Sequence, residues 1–211
     1  MPTHRLDIVS DAICPWCYIG KRRLEGALGL LGETGRRFAV RWLPYELNPD
    51  MPQGGMDRRE HRIRKFGSLA QSQARDAQVA AVADAAGLAI RPELIARVPN
   101  TFDAHRLIWL GDGEGVQDAV VEGLFRAYFG NGLDIGLADV LADVGVAAGM
   151  RPERVAGLLA GAEGAAEVRA AEARARQAGV EGVPSFFVDG QLLFSGAHAA
   201  ATMAEYLHQA V

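Results

Sequence analysis

Residues 5–21 read RLDIVSDAICPWCYIGK, and this stretch decides the fold. Its first six residues form a short β-type run that ends at Asp11 and leads directly into two cysteines, Cys14 and Cys17. The apolar residues that follow recur at the spacing of one buried helix face: Leu24, Ala27, Leu28 and Leu31. The dithiol therefore lies where a strand gives way to a helix, with Pro15 at the first helical position.

The rest of the chain changes periodicity twice. Residues 38–43 look like a second strand, which the following prolines stop and which completes a β-α-β unit. From about residue 57 to about residue 162 the periodicity is helical, and strand-like runs nearly vanish. The chain then closes with three elements: a helix over 164–178, a hairpin over 185–195 that turns at Asp189-Gly190, and a helix over 198–209.

These elements predict an α/β protein with one core and an inserted helical subdomain. A chain of 211 residues is long for one minimal domain and short for two full ones. The change in periodicity assigns residues 1–52 and 163–211 to the α/β part and residues 53–162 to the helical insertion.

Composition narrows the class of protein and its partners. Hydrophobic residues make up 49% of the sequence and charged residues 23%, the balance of an ordinary soluble globular protein. No apolar run reaches the roughly 18 residues of a membrane span, and the start of the chain lacks the apolar stretch of a secretory signal. A cytoplasmic location is therefore expected. The net charge of -4, without a basic stripe, argues against nucleic acid and membrane as partners.

Cys14 and Cys17 are the only cysteines, so the chain has no structural disulfide framework and both thiols are available for chemistry. A dithiol with this spacing closes a small ring, and the positive end of the helix favours the thiolate. We expect Cys14 at the exposed edge, where it attacks a substrate disulfide. Cys17, one turn further in, is expected to be shielded and to resolve the mixed disulfide.

Two other interpretations of the cysteine pair compete with exchange chemistry. In the first, the thiols are buried and purely structural. In the second, they belong to a zinc knuckle, which needs four ligands. The histidines are scattered rather than paired, so no metal site is predicted from them: His4, His61, His105, His198 and His208.

A second feature, Gly182-Val183-Pro184, lies just before the first hairpin strand. A cis bond before Pro184 would leave the carbonyl and amide of Val183 free to pair with an extended substrate peptide. Pro184 would also keep metal ions away from Cys14. The alternative is a trans proline that opens an ordinary strand. Its place relative to the dithiol favours the cis form.

Four motifs together resemble those of the DsbA-type thioredoxin-like family and, within it, of the FrnE group of cytoplasmic dithiol-disulfide oxidoreductases. The resemblance covers nearly the whole chain. The motifs are Ser10-Asp11 before Cys14-Pro15-Trp16-Cys17-Tyr18-Ile19-Gly20-Lys21, Glu46-Leu47-Asn48-Pro49-Asp50-Met51-Pro52, Pro99-Asn100-Thr101 with Ala104-His105-Arg106-Leu107, and Gly182-Val183-Pro184.

The resemblance implies a thioredoxin-like fold, with a sheet of four to five strands interrupted by the helical insertion. It implies that Cys14 is the nucleophile, Cys17 the resolving thiol and Pro184 the cis-proline. It also implies a thiol-disulfide oxidoreductase or isomerase whose partners are protein thiols and disulfides, or glutathione. The redox-active pair itself then serves in place of a cofactor.

The same superfamily includes glutathione-dependent enzymes similar to 2-hydroxychromene-2-carboxylate isomerase and kappa-class glutathione transferase, which place a serine where Cys14 stands. Cys14 favours exchange chemistry, and a glutathione-dependent isomerase or transferase is the alternative. A redox-sensing or client-binding module without turnover is a third. Compared with DsbA, Trp16 replaces a histidine, so Cys14 lacks one positive neighbour. Trp16 either packs against a substrate or fills the groove edge.

Further residues are candidates for the support and walls of the site. Asp11 is near enough to hydrogen-bond the cysteine loop, which we favour over a proton relay. Asn100 and His105 stand at the start of an insert helix, and the family motif suggests that this end faces the dithiol across a cleft. His105 either shuttles protons there or makes a structural hydrogen bond. Three aromatic residues are candidates for an apolar substrate groove, although such positions are more often core: Trp42, Tyr45 and Phe102.

Two charged features are expected to be solvated. Lys21 lies on the first helix, where contact with solvent is favoured over contact with an anion. The other feature is a basic cluster, for which a solvated helix face is favoured over a site for an acidic partner. Its members are Arg58, Arg59, Arg62, Arg64 and Lys65, with Glu60 among them.

Overall fold

The strand that leads into the dithiol is an inner strand of a four-stranded sheet with the order β2-β1-β5-β6. The computed structural model describes residues 4–211. Strand β1, His4–Ser10, pairs in parallel with β2, Phe38–Pro44. Helix α1, Pro15–Leu31, connects them, because parallel neighbours need a crossover connection. The predicted β-α-β unit is confirmed.

Strand β1 is covered on both faces, and its last five residues, Asp7 among them, are buried. Leu6 and Ile8 are fully buried on one face, and Val9 is buried on the other. On the side away from β2, β1 pairs antiparallel with β5, Ser185–Val188. The dithiol loop thus leaves the sheet from one of its buried strands.

The predicted hairpin is confirmed at the C-terminal end. Strand β5 turns through Asp189 and Gly190, at φ +49° and +86°, into β6, Gln191–Ser195. Positive φ at both central residues is the geometry that Asp-Gly favours in two-residue turns. The last helix begins two residues later than predicted, at Ala200, and packs against α1.

The segment between β2 and the hairpin is predominantly helical, as predicted. One short ladder interrupts it: β3, Met56–Asp57, pairs antiparallel with β4, Arg97–Val98. Periodicity misses it because two residues show no period. Short 3₁₀ turns occur at Gly35–Arg37 and Pro92–Leu94, and a π turn, Arg126–Gly130, continues α5. The remaining helices are α2 Arg58–Phe66, α3 Leu69–Asp84, α4 Phe102–Glu114, α5 Gln117–Phe125, α6 Ala138–Ala147, α7 Pro152–Ala160, α8 Ala165–Gln177 and α9 Ala200–Gln209.

One hydrophobic core joins the helices to the sheet. The ring of Tyr18 on α1 stacks on Phe125 of α5 at 4.9 Å between centroids, and Trp42 of β2 meets Phe125 edge-on at 6.5 Å. The α/β architecture with a helical insertion that the resemblance implies is confirmed. The boundaries at residues 52/53 and 162/163 stay a prediction.

Lys21 corrects an expectation about α1. It is 3% exposed rather than solvated, and its Nζ lies 3.1 Å from Asp118 and 3.2 Å from Glu122 on α5. Burial lowers the pKa of Lys21, but its carboxylate partners outweigh burial, and the net shift is upward. The charge is retained because Glu25 on the same helix, at 2.5 Å, and the two acids of α5 all contact Nζ.

Arg106 anchors α4 to the end of α7. Its guanidinium is buried and donates to the carbonyls of Leu158 at 2.6 Å, Gly161 at 2.7 Å and Glu163 at 2.8 Å. Two of these carbonyls belong to the last turn of α7 and the residue after it, where helix carbonyls lack intrahelical partners. One side chain therefore satisfies three carbonyl acceptors, and the bond to the Leu158 carbonyl is fully buried.

Replacing Arg106 by methionine should destabilise the protein by about 3–5 kcal/mol, because the apolar chain is kept while buried carbonyls lose their donors. Urea denaturation followed by circular dichroism measures the loss. Arg151→Met is the control: Arg151 is exposed, its contact with Glu153 is 3.7 Å long, and the expected change is within about 0.5 kcal/mol. Equal losses in the two variants would contradict the anchoring role.

Candidate active site

The cysteine pair lies at the start of helix α1, as predicted. Cys14 is the N-cap residue with an extended backbone, and Pro15 occupies the first helical position. The Cys14 amide donates to the Asp11 carbonyl at 3.0 Å, which closes the loop after β1. The Cys14 carbonyl accepts from the Cys17 amide at 3.0 Å. Both cysteines are free thiols.

Access to the two sulfurs differs less than the sequence predicts. Cys14 is 4% exposed and Cys17 is 0% exposed, so the expectation that Cys14 stands at an exposed edge is wrong. The segment at Val183 covers it, and Cys14 Sγ donates to the Val183 carbonyl at 3.5 Å. The difference that remains is one of position: Cys14 lines a cleft of about 360 Å³, whereas Cys17 lies in the core.

The protonation of Cys17 follows from this burial. Burial raises the pKa of the Cys17 thiol well above its ordinary value, and the hydrogen bond and charge of Cys14 raise it further. Hydrogen bonds from Ser10 and from the Asp11 backbone act in the opposite direction. Cys17 is therefore held as a protonated thiol at neutral pH, which distinguishes it from an attacking thiolate.

The Val183–Pro184 peptide bond is cis, as predicted. The Pro184 carbonyl accepts from the Gly196 amide at 2.7 Å, so the segment is fixed to the end of the hairpin. On its other side it meets α1: a Cβ on Gly20 would lie 3.0 Å from Pro184 Cγ. Val183 also lines the cleft that Cys14 lines. The dithiol and this segment are thus neighbours although about 170 residues separate them.

Asp11 lies beneath the dithiol loop with no exposed surface. Its Oδ2 accepts from the Leu47 amide at 2.8 Å, and its Oδ1 lies 3.3 Å from His105 Nε2. That second contact has an ion-pair distance without hydrogen-bond geometry, and neither His105 ring nitrogen has a hydrogen-bond partner among residues 4–211. The Asp11 side chain thus holds the segment after β2, whereas the bond to the Cys14 amide comes from the Asp11 backbone carbonyl. The support role of Asp11 at the dithiol stays a prediction.

Glu46 is a buried carboxyl beside this pair that the sequence analysis did not single out. Burial raises its pKa to about 7; His105 opposes that shift, and Glu172 and Asp11 add to it. Glu172 on α8 is 8% exposed, and its Oε1 accepts from the Glu46 amide at 2.9 Å. The signal was present in the sequence, since Glu46 begins one of the family motifs.

Asn100 and His105 do not face the dithiol cleft, which corrects the sequence prediction. Asn100 Nδ2 donates to the Met51 carbonyl at 2.8 Å, and its Oδ1 accepts from the Phe102 amide at 2.9 Å, so it begins helix α4. His105 is buried behind the cysteine loop against Asp11 and lines a separate cavity of about 460 Å³. Its contact with the site is therefore through Asp11 and not through the cleft that Cys14 lines.

The three aromatic candidates do not line the dithiol cleft either. Trp42 is buried and its indole donates to Asp118 Oδ1 at 3.0 Å. Tyr45 is buried, with the Arg176 guanidinium 4.2 Å from its ring centroid, and Phe102 has Arg169 at 4.3 Å. The sequence shows where a strand ends but not which helix covers that end. Here side chains of helices α5 and α8 contact the three rings.

The walls of the cleft come from other parts of the chain. Pro15 and Trp16 line it beside Cys14, and its apolar surface includes Leu47, Ile95 and Phe129. Opposite stands a charged wall from α2 and α3, formed by Arg58, His61, Arg62, Lys65, Arg75 and Asp76.

This wall corrects the expectation that the basic cluster is a solvated helix face. The side chains of Arg58 and Arg62 are only 18% and 19% exposed, and both pair with Asp76 of α3. Arg59 and Arg64 are exposed, as expected for a solvated face. The cluster is therefore divided: one side faces the cleft and the other faces solvent.

Within the described part of the chain, no group of three or more His, Cys, Asp or Glu side chains is placed to hold a metal ion. No helix within residues 4–211 combines the length and apolar character needed to cross a membrane.

The fold and the cysteine pair define a thioredoxin-like protein with a helical insertion. The family described as DSBA-like thioredoxin domain matches residues 5–208, and the chain belongs to this family. A probable DsbA oxidoreductase from Streptomyces coelicolor is 35% identical, with a TM-score of 0.90, and the match covers 98% of this chain and 89% of that one.

More distant structures share the fold. The cytosolic disulfide reductase DsbM from Pseudomonas aeruginosa, solved with GSH, is 16% identical with a TM-score of 0.65, covering 98% of this chain and 96% of that one. A 2-hydroxychromene-2-carboxylate isomerase is 14% identical with a TM-score of 0.73, covering 98% and 95%. The uncharacterised protein YwbO of Bacillus subtilis is 36% identical over 47 residues, which span 22% of this chain and 21% of YwbO.

Glu46 should make stability depend on pH. Its native pKa is about 7 against an ordinary 4.5, so the folded chain keeps a proton that the unfolded chain has lost. Stability is therefore highest below about pH 4.5 for this group and falls as the pH rises through 7. In Glu46→Gln, the loss between pH 5 and pH 8 should be smaller by on the order of 1–2 kcal/mol.

Urea denaturation of both proteins at the two pH values measures the difference. Glu181→Gln, at an exposed position, should keep the wild-type dependence. A Glu46→Gln protein with an unchanged pH dependence would show that Glu46 does not titrate in this window.

Proposed function

We propose that the protein is a thiol-disulfide oxidoreductase that uses Cys14 and Cys17 on protein or glutathione disulfides. The observation that carries the proposal is the placement of Cys14 at the helix start, in the wall of a cleft and 3.5 Å from the Val183 carbonyl. Attack on a disulfide requires Cys14 to lose the proton that its Sγ donates to the Val183 carbonyl. The FrnE assignment and the cytoplasmic location stay predictions.

The proposed reaction assigns different roles to the two cysteines. The Cys14 thiolate attacks one sulfur of the substrate disulfide, forms a mixed disulfide and releases the other sulfur as a thiolate. Cys17 then loses its proton and attacks Cys14 Sγ, which releases the second substrate thiolate. The substrate gains two electrons, and the two cysteines become a disulfide. The reverse sequence oxidises a dithiol substrate.

The cis segment supplies a place for substrate backbone. Among residues 4–211 the Val183 amide has no hydrogen-bond acceptor, and the Val183 carbonyl accepts only from Cys14 Sγ. An extended peptide pairs with such a free backbone edge as an added strand does. This pairing would bring a substrate disulfide beside Cys14.

The family and its relatives support this class of activity. The Streptomyces coelicolor relative is described as a probable DsbA oxidoreductase, and DsbM as a disulfide reductase. The 2-hydroxychromene-2-carboxylate isomerase shares the fold, which keeps a glutathione-dependent isomerase as the alternative activity. The cysteine at position 14 and its partner at 17 favour exchange.

Cys14→Ser should abolish insulin reduction and the refolding of a scrambled disulfide protein, because the hydroxyl does not form a mixed disulfide. Cys17→Ala should lose turnover but accumulate mixed disulfides with substrate, detected by mass spectrometry after acid quenching. Exchange activity that survives in Cys14→Ser would overturn the proposal. Activity of Cys14→Ser with glutathione and a chromene carboxylate would support the isomerase instead.

The approach of α1 to the cis segment generates a second prediction. Gly20→Val places a side chain on Pro184, so the Val183 edge must move away from Cys14 and the exchange rate should fall roughly tenfold or more. Gly29→Ala is the control on the same helix, because no heavy atom among residues 4–211 lies within 4 Å of its Cβ position.

Thermal denaturation separates this effect from misfolding, and Gly20→Ala serves if the valine variant does not fold. A folded Gly20→Val or Gly20→Ala protein with wild-type exchange kinetics would show that the position of the Val183 edge does not limit the reaction.

A further inference from the structure

The charged wall of the dithiol cleft carries an excess of positive charge. Four permanent cations line it: Arg58, Arg62 and Lys65 from α2 and Arg75 from α3. Among residues 4–211, the one carboxylate that lines the same cleft is Asp76. This distribution is unusual for the chain as a whole, whose net charge is -4. The positive charge is therefore concentrated in the wall of the cleft that Cys14 also lines.

Asp76 neutralises only part of this charge. Its Oδ2 lies 2.8 Å from Arg58 Nη2, and its Oδ1 pairs with Arg62 Nη2, so two guanidiniums share one carboxylate. Among residues 4–211, neither Lys65 nor Arg75 has an ion-pair partner. Both instead lie near the Phe66 ring, with Lys65 Nζ at 6.0 Å and Arg75 Cζ at 4.9 Å from its centroid.

The pKa values of Arg62 and His61 are both shifted by the positive charges of this wall. Burial lowers the pKa of Arg62, and Arg58 and Arg75 lower it further against the effect of Asp76. Burial also lowers the pKa of His61, with Lys65, Arg62 and Arg64 as the further causes. Each group is placed where one more positive charge is unfavourable and where an incoming anion is favoured.

His61 adds to the cleft wall a ring nitrogen without a hydrogen-bond partner among residues 4–211. Its Nε2 lies 3.2 Å from Asn48 Oδ1, an acceptor, so Nε2 carries the proton and Nδ1 is left as an acceptor. Nδ1 is buried in the cleft wall and has no partner among residues 4–211. Within the described chain the Val183 amide is an unpaired backbone donor beside Cys14, so an extended peptide has a backbone partner in the same cleft as the cations.

The wall is long enough for several residues of an extended chain. Arg58 and Lys65 are seven residues apart on α2, which corresponds to about 10 Å along the helix axis. About three residues of an extended peptide span the same length. An extended segment of about three residues that lies along α2 therefore spans the cations from Arg58 to Lys65.

We infer that the α2–α3 wall selects polypeptide disulfides in which acidic residues flank the cysteine. The inference rests on the proposed function, because Cys14 is the atom that the substrate must reach. It assigns specificity to Arg58, Arg62, Lys65 and Arg75, and it leaves the exchange step unchanged.

Binding of peptides that do not react tests the inference apart from catalysis. Three blocked five-residue peptides carry an S-methylated central cysteine and four glutamates, four glutamines or four lysines, and S-methylglutathione is the small-molecule probe. Isothermal titration calorimetry with the full chain should give the glutamate peptide an affinity roughly tenfold above that of the glutamine peptide at low ionic strength. Raising the salt to about 0.3 M should reduce the preference, since exposed charges are screened.

Matched double variants locate the effect. Lys65→Gln with Arg75→Gln removes two cations from the cleft, and the preference for glutamate should fall to about threefold or less. Arg59→Gln with Arg64→Gln removes two exposed cations of α2 that do not line the cleft, and the wild-type preference should persist. Circular dichroism confirms that each variant is folded.

The exchange arm uses disulfide-linked dimers of the same peptides without the methyl group. Equal binding of the glutamate and glutamine peptides overturns the inference, and so does S-methylglutathione binding more tightly than the glutamate peptide. An equal loss of preference in both double variants also overturns it. Selective binding without any exchange on the dimers supports the inference and counts against the proposed function, so the two failures are distinguishable.

Discussion

The close approach of helix α1 to the Val183–Pro184 segment is the constraint on which the site depends. Gly20 leaves room for Pro184 on the helix, and at the N-cap of the same helix Cys14 Sγ meets the Val183 carbonyl at 3.5 Å. The sheet makes this approach possible, because β1 lies between β2 and β5 and runs antiparallel to β5. The end of β1, which leads to Cys14, and the start of β5, which follows Pro184, therefore lie at the same end of the sheet. A shift of either strand would separate the nucleophile from the backbone that faces it.

Local sequence was sufficient for the elements that carry the dithiol. The strand before Cys14, the helix after it and the Asp189-Gly190 turn each depend on neighbouring residues, and each is observed. The cis bond before Pro184 was also predicted, from its expected place opposite the cysteines. The signals for the strand, the helix and the turn are local preferences that agree with the global fold. The cis bond opposes the trans preference of an X-Pro bond, and its prediction rested on the expected tertiary position of Pro184.

The walls of the cleft could not be predicted in the same way, because they depend on which helix covers which strand end. Trp42 is an aromatic residue of the kind that lines substrate grooves, yet it is buried, and its indole N–H donates to Asp118 on α5. Arginine side chains are usually solvated, yet Arg62 binds Ser72 and Asp76 on α3 and lines the cleft. Glu46 was missed because a charged residue gives no sign of its own burial until Glu172 and His105 are placed around it.

The attachment of α2 has a consequence for how a buried nucleophile is reached. Within the described chain, no side chain of α2 is buried, and α3 buries only Ser72 and Ala83. Arg62 binds both the hydroxyl and the carbonyl of Ser72, so the two helices are tied to each other more than to the core. Segments with few buried apolar contacts open locally at a lower free energy than the rest of a domain. Cys14 is itself buried, and the least firmly packed wall of its cleft is the one that α2 and α3 form.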